Sequence, residues 1–174
     1  MGITKGLGRS LPTIRGVNLR RELLLGQGLL GPIAPHAADV ILLLEIIMGA
    51  GLFVGARLAR LGRFRQHAWC QSIIVLINAA VIAMMMIPSF TLQVYPRIAA
   101  KLGKAYYALA TTHAAVGSLA ESAALYILLA AGTGVLPRKL RITNYKAWMR
   151  SVLVLWWIAL LLGIATYIRW YVRF

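Results

Sequence analysis

Long apolar runs alternate with clusters of basic residues along the chain, and that alternation predicts its elements. The runs extend from about His36 to Ala56, from about Trp69 to Ile87, through residues 105–136, and from about Ser151 to Ile168. A helix needs roughly 20 apolar residues to cross hydrocarbon about 30 Å thick, so each run predicts a transmembrane helix. Pro35 opens the first run, Pro88 is expected to end the second, and Pro137 follows the third, because proline lacks the N–H that a helix interior requires. Short loops force successive helices to run in opposite directions. The expected fold is therefore an all-α integral membrane protein, an antiparallel up-and-down bundle of four transmembrane helices over residues 36–174. Residues 1–35 hold no run long enough to span and carry Lys5, Arg9, Arg15, Arg20 and Arg21 among glycines and prolines. They predict an N-terminal extramembrane arm that lies on the headgroup layer or on a partner subunit.

An ionisable group in hydrocarbon costs roughly 3 kcal/mol, so the polar residues within the runs are the candidates for function. His113, Gly117 and Glu121 follow one another at four-residue steps, on one slowly drifting helical stripe that Ala110, Ala114, Ser118 and Ala120 keep small. Glu45, about 14 Å into the first helix, and Asn78, near the middle of the second, are expected to be buried together with Glu121. Two readings stand side by side. In one, the stripe is a ligand, proton or cofactor site with Glu45 as the partner of His113. In the other, it is a packing seam whose polar groups bond to neighbouring helices. Gly51 and Gly55 form a GxxxG pair, and with Gly117 they are expected to let helix backbones approach closely.

His113 and His36 are the candidate cofactor-binding residues, since they can meet if His113 lies near the outer surface. His67 starts the second helix and is too far from His113, across a core of about 30 Å, to share an iron with it. Met84, Met85 and Met86 are soft ligands of the kind that suit Cu(I). Successive helical residues point about 100° apart, however, so the three cannot converge on one ion. Cys70 is the single cysteine, which leaves no internal disulfide and no paired thiol for a metal. The residues predict no metal ligand set and no particular cofactor, and leave haem or copper open. Trp148 and Trp170 are expected at membrane interfaces, and one of Trp156 and Trp157 is expected to face lipid.

Composition agrees with the pattern. The chain is 60% hydrophobic with a mean hydropathy of +0.76 and only 4 acidic residues, too apolar for a soluble core of 174 residues. The net charge of +15 would point to nucleic acid in a soluble domain. Here the basic residues flank the spans, where they meet anionic lipid headgroups instead. No nucleic-acid partner is expected. The order and spacing of residues supply no Ser/His/Asp set, no HExxH and no phosphate-binding glycine loop, so no enzyme activity is expected. Weighting basic residues in short loops puts loops 57–68 and 137–150 in the cytoplasm and both termini outside.

Several short motifs recur around these spans: Arg65-Gln66-His67 ahead of the second, Thr112-His113 early in the third, and a basic stretch ending in Ala147-Trp148 before the fourth. In this the chain resembles a bacterial membrane family of undefined function that includes maturation factors for haem-copper oxidases. The likeness covers residues 36–174. A more distant likeness, through His113 and Gly117, is to four-helix b-type cytochromes. Where the family carries further histidines, this chain has Met86-Ile87-Pro88 and Asn144-Tyr145-Lys146. The resemblance implies a non-catalytic accessory or assembly subunit of a respiratory or photosynthetic electron-transfer complex in the bacterial inner membrane, with other membrane subunits as partners. The alternative it implies is a membrane electron carrier or cofactor-delivery protein that binds haem or copper. A small transporter is a third reading.

Overall fold

The computed structural model describes residues 34–132, 137 and 144–172. The expected arm up to residue 33, the last part of the third run and most of the basic loop after Pro137 lie outside the described residues. Those described are helical nearly throughout. Helix α1 (His36–Arg60) starts after Pro35, whose extended backbone (φ −70°, ψ 149°) cannot continue a helix backwards. The Pro35 carbonyl instead accepts from the Ala38 N–H at 2.9 Å. At the other end, Gly62 takes φ +73°, a left-handed conformation that glycine adopts without a Cβ penalty. The chain thereby reverses within Leu61, Gly62 and Arg63 and enters α2 (Phe64–Val81). Both helices reach beyond the apolar runs predicted for them, so the expected loop 57–68 is mostly helix.

Pro88 does not end the second helix, contrary to the expectation from sequence. Helix α2 passes through a π-helical turn, Ile82–Met86, into α3 (Ile87–Gln93). In an α-helical register the proline would leave one carbonyl without its donor and press its ring on the preceding turn. The wider turn shifts the hydrogen bonding so that the Ile87 N–H donates to the Ile82 carbonyl, five residues back. The helix accommodates the ring and continues. A 3₁₀ turn (Tyr95–Arg97) and a short α4 (Ile98–Lys101) follow. Helix α5 spans Ala105–Gly132 and α6 spans Tyr145–Tyr171. The side chain of Asn144 caps α6 by accepting from the Ala147 N–H at 3.2 Å.

Four stretches are long and apolar enough to cross a membrane: His36–Arg60, Phe64–Lys101, Ala105–Ala131 and Tyr145–Tyr171. Their contacts close a ring in which α1 packs on α2, α2 on α5, α5 on α6, and α6 back on α1. The pair α5 and α6 is the most extensive. It is pinned near one end by the Trp170 indole N–H donating to the Tyr106 carbonyl (3.1 Å) and near the other by the Tyr145 hydroxyl donating to the Ala130 carbonyl (3.3 Å). The apolar core is thin. Met48, Leu52 and Ile74 form one cluster and Val75, Ala124 and Val152 a second, and Trp156 packs against both. Only 11% of the most apolar window of Tyr145–Tyr171 is buried within the chain, so most of that surface needs cover from lipid or another protein.

Candidate functional site

His113 on α5 has its ring fixed from two sides. Its Nδ1 lies 2.9 Å from the backbone carbonyl of Ala159 on α6. A carbonyl can only accept, so Nδ1 carries the hydrogen and donates it. That assignment leaves Nε2 as the free nitrogen of the imidazole. It faces Glu45 of α1, with Oε1 3.7 Å away. The side chains retain 20% and 10% exposure, respectively, and bring together the two residues that the functional reading of the sequence paired.

A glycine on α6 makes room for this contact. A Cβ built at Gly163 would stand 2.5 Å from Glu45 Oε2 and 3.0 Å from His113 Cε1, closer than side-chain atoms tolerate. Sequence reading passed over Gly163, because a single glycine in an apolar run carries no pattern of its own. Ala159 was equally invisible, since any residue offers the same carbonyl.

Beside the pair lies a cavity of about 50 Å³, room for a few water molecules at roughly 15 Å³ each. Glu45, His113, Asn78, Met86, Gly117 and Trp156 are among its lining residues. Gly117, expected at a close helix contact, borders this space, and a Cβ there would meet nothing within 4 Å. The expected packing role fits Gly51 and Gly55 better. A Cβ at Gly51 would stand 2.8 Å from Ile74 Cδ1, and one at Gly55 would run into the Gln71 amide, so α2 rests directly on the α1 backbone. Of the three methionines, Met86 borders the cavity while Met84 is 68% exposed.

Asn78 and Glu121 form a second polar contact, with Asn78 Nδ2 donating to Glu121 Oε2 at 2.8 Å. Glu121 is buried, and its other oxygen, Oε1, has no hydrogen-bond partner among the described residues. His113 and Glu121 share a stripe in sequence but serve different neighbours, His113 reaching α6 and α1 and Glu121 reaching α2. Eight residues at 100° each leave them about 80° apart around the helix, enough to separate their partners. At the far end of α6, the Tyr167 hydroxyl donates to Asp39 Oδ1 at 2.5 Å. The Trp170 ring stacks on Tyr106 with centroids 4.3 Å apart, so this tryptophan packs against α5 as well as marking the end of its helix. His67 donates from Nδ1 to the Gly55 carbonyl at 2.8 Å, which ties the start of α2 to α1.

The structure does not bring His36 to His113. His36 begins α1, roughly 13 Å along the axis from Glu45 and on about the opposite face, at 1.5 Å and 100° per residue. Two axial imidazoles must lie about 4 Å apart across an iron, and the cavity beside His113 is far too small for a porphyrin. The residues present do not fit a haem held by His36 and His113. Among the described residues, no three His, Cys, Asp or Glu side chains group as a metal site. What the arrangement offers is one acid and one imidazole facing each other next to a space the size of a few waters. No family model matches the chain, and no curated protein or solved structure matches it.

Proposed function

We propose that this protein is a non-catalytic accessory or assembly subunit of a respiratory or photosynthetic electron-transfer complex, and that it works from within the membrane without a resident haem. The observation that carries this reading is how the interior polar groups are used. Glu45 faces His113, Asn78 bonds Glu121 and Tyr167 bonds Asp39, so each is engaged with another helix, and the cavity beside Glu45 and His113 is too small for a large cofactor. Outward, by contrast, α1, α2 and α6 present Phe53, Trp69, Leu76, Val154 and Leu161, large apolar side chains that suit acyl chains or the helices of a partner. The resemblance in the sequence to a family that includes oxidase maturation factors supplies the kind of complex.

The membrane topology belongs to the same proposal. The four apolar helices span the bacterial inner membrane as an up-and-down antiparallel bundle. Contacts between the start of α1 and the end of α6, as in Asp39 with Tyr167, and between Gly49 and Leu160 further in, support opposite directions for those two helices. The basic segments 57–68 and 137–150 face the cytoplasm, where their charged residues meet anionic headgroups, and both termini lie outside. The N-terminal arm rests on a neighbouring subunit or on the headgroup layer.

Affinity purification of the tagged chain from its own membranes in a mild detergent tests this. Subunits of one electron-transfer complex should accompany it in fixed ratio, and deleting the gene should lower the amount of that assembled complex. A Soret band at one haem per chain in the isolated protein, or an unchanged level of every electron-transfer complex in the deletion strain, would overturn the proposal.

A further inference from the structure

We propose that Glu45 and His113 form a proton-binding site inside the bundle, in which one exchangeable proton is shared between the Glu45 carboxyl and His113 Nε2 through water in the adjoining cavity. The geometry fixes most of the terms. Because His113 Nδ1 donates to the Ala159 carbonyl at 2.9 Å, only Nε2 is left to gain or lose a proton, and it is the nitrogen that faces Glu45. The separation of 3.7 Å is beyond a direct hydrogen bond, which ends near 3.2 Å. A water molecule bridging the two groups satisfies both, and the cavity they line has room for it and a few more.

Counting charge shows why one proton belongs to the pair. With none, an unprotonated imidazole faces a carboxylate and the site is negative; with two, a carboxylic acid faces an imidazolium and the site is positive. With one, the site is neutral overall, either as acid and imidazole or as carboxylate and imidazolium. An apolar interior disfavours net charge strongly. Among the described residues, the other groups that line the cavity are uncharged, Asn78 and Met86 from the second span, Gly117 from α5, and Trp156, Ala159 and Leu160 from α6 among them. Among the described residues, Glu121 is linked to the cavity-lining Asn78 by a hydrogen bond, and Asp39 and Tyr167 bond each other. Through the bridging water, the carboxyl O–H breaks as the water takes that proton, and the water gives up one of its own to form the Nε2–H bond; the total charge does not change, and the carboxylate–imidazolium form that results is held by the attraction between its two charges against the cost of their desolvation. Gly163 is the positioning residue, because its missing side chain is what lets the two groups approach.

This inference rests on the reading of the four helices as membrane spans, and not on the identity of any partner complex. Its test therefore uses the isolated full chain, ¹⁵N-labelled at histidine, in phosphatidylcholine nanodiscs. Nitrogen NMR should show His113 with a protonated Nδ1 and an Nε2 resonance displaced from the bare-nitrogen position, and that resonance should shift again on exchange into D₂O. In Glu45→Gln the displacement should be lost, with helicity unchanged by circular dichroism, while Glu121→Gln should leave it in place. If Glu45→Gln does not insert, the D₂O shift in the unaltered chain still decides. A bare Nε2 insensitive to D₂O, or a displaced Nε2 that Glu45→Gln does not move, would overturn the proposal.

Discussion

At Gly51 an added Cβ would stand 2.8 Å from Ile74 Cδ1, and at Gly163 an added Cβ would stand 2.5 Å from Glu45 Oε2. The two glycines occupy similar positions, each in the middle of an apolar helix facing another helix, but they serve different ends. Gly51 and Gly55 let α2 lie against the backbone of α1, and what fills the space is the flexible tip of an isoleucine and a glutamine side chain. Gly163 lets α6 pass behind a polar contact, and what fills the space is a carboxyl oxygen of Glu45 and a carbon of the His113 ring, which the Ala159 carbonyl holds. An aliphatic tip can rotate away within its rotamer wells. A buried acid displaced from its partner has no equivalent place to go. The same substitution should therefore read out differently at each site, and glycine-to-alanine changes separate close packing from the support of a polar site.

The largest effect is expected at Gly163. Gly163→Ala should force Glu45 and His113 apart and leave polar groups unpaired in the interior, a loss on the order of 3 kcal/mol. Unfolding of the purified protein from lipid bicelles into a denaturing detergent measures it. A loss below that of Gly51→Ala would show that the pair relaxes freely and that the two glycines do not differ in this way. Next is Asn78→Ala, which removes the donor from Glu121 Oε2 and leaves that carboxyl without either bond. Hydrogen bonds between membrane helices average about 0.6 kcal/mol, and stranding a buried acceptor adds to this, so a loss of about 1–2 kcal/mol is expected by the same measurement. Asn78→Asp, which keeps the shape but places two acids together, should cost more than alanine.

These two polar contacts also mark how far the sequence could be read. The four apolar helices were legible because their length is dictated by bilayer thickness and needs no tertiary information. The polar positions were legible too, since Glu45, Asn78, His113 and Glu121 stand out against apolar neighbours. Their pairing was legible only in part. Glu45 was an evident candidate for His113, but Asn78 with Glu121 depends on the rotation of α2 against α5, which no residue pattern fixes. Asp39 with Tyr167 joins residues from the first and last helices, and nothing in either segment signals the other. Pro88 misled for a different reason. Proline removes one donor from an α-helix, but the helix can change its own register locally, and the π-turn at Ile82–Met86 does so without ending the span. Glycine roles were the least legible, because what a missing side chain accommodates belongs to the neighbouring helix.

Gly51→Ala comes third in size. The methyl group would crowd Ile74 Cδ1, and overpacking of this kind costs about 1 kcal/mol or more, partly offset by the better helix propensity of alanine. A net loss of up to about 1 kcal/mol is expected. It should fall to near zero when combined with Ile74→Val, which deletes the clashing Cδ1 atom. If the double variant loses as much as the two single changes together, the clash is not the cause, and α1 and α2 meet less tightly than the contact implies.

The smallest effect, and the one of opposite sign, is expected at Gly117. A Cβ there meets nothing within 4 Å, because the space next to it is the cavity that Glu45, Asn78 and His113 share. With no clash to offset it, the helix propensity of alanine should dominate. That preference is close to 1 kcal/mol in an exposed helix interior, and smaller here because the new methyl also narrows the space beside Glu45, Asn78 and His113. Gly117→Ala is therefore expected to stabilise the protein by about 0.5 kcal/mol, read as a higher detergent concentration at half-unfolding. The variant also separates two features that Gly163→Ala changes together. It reduces the cavity without touching the contact between Glu45 and His113, so the His113 Nε2 resonance should keep its dependence on Glu45. A destabilised Gly117→Ala protein would mean that the space is already filled in the membrane, by tightly held water or by a neighbouring chain, and that the glycine is needed to keep it so.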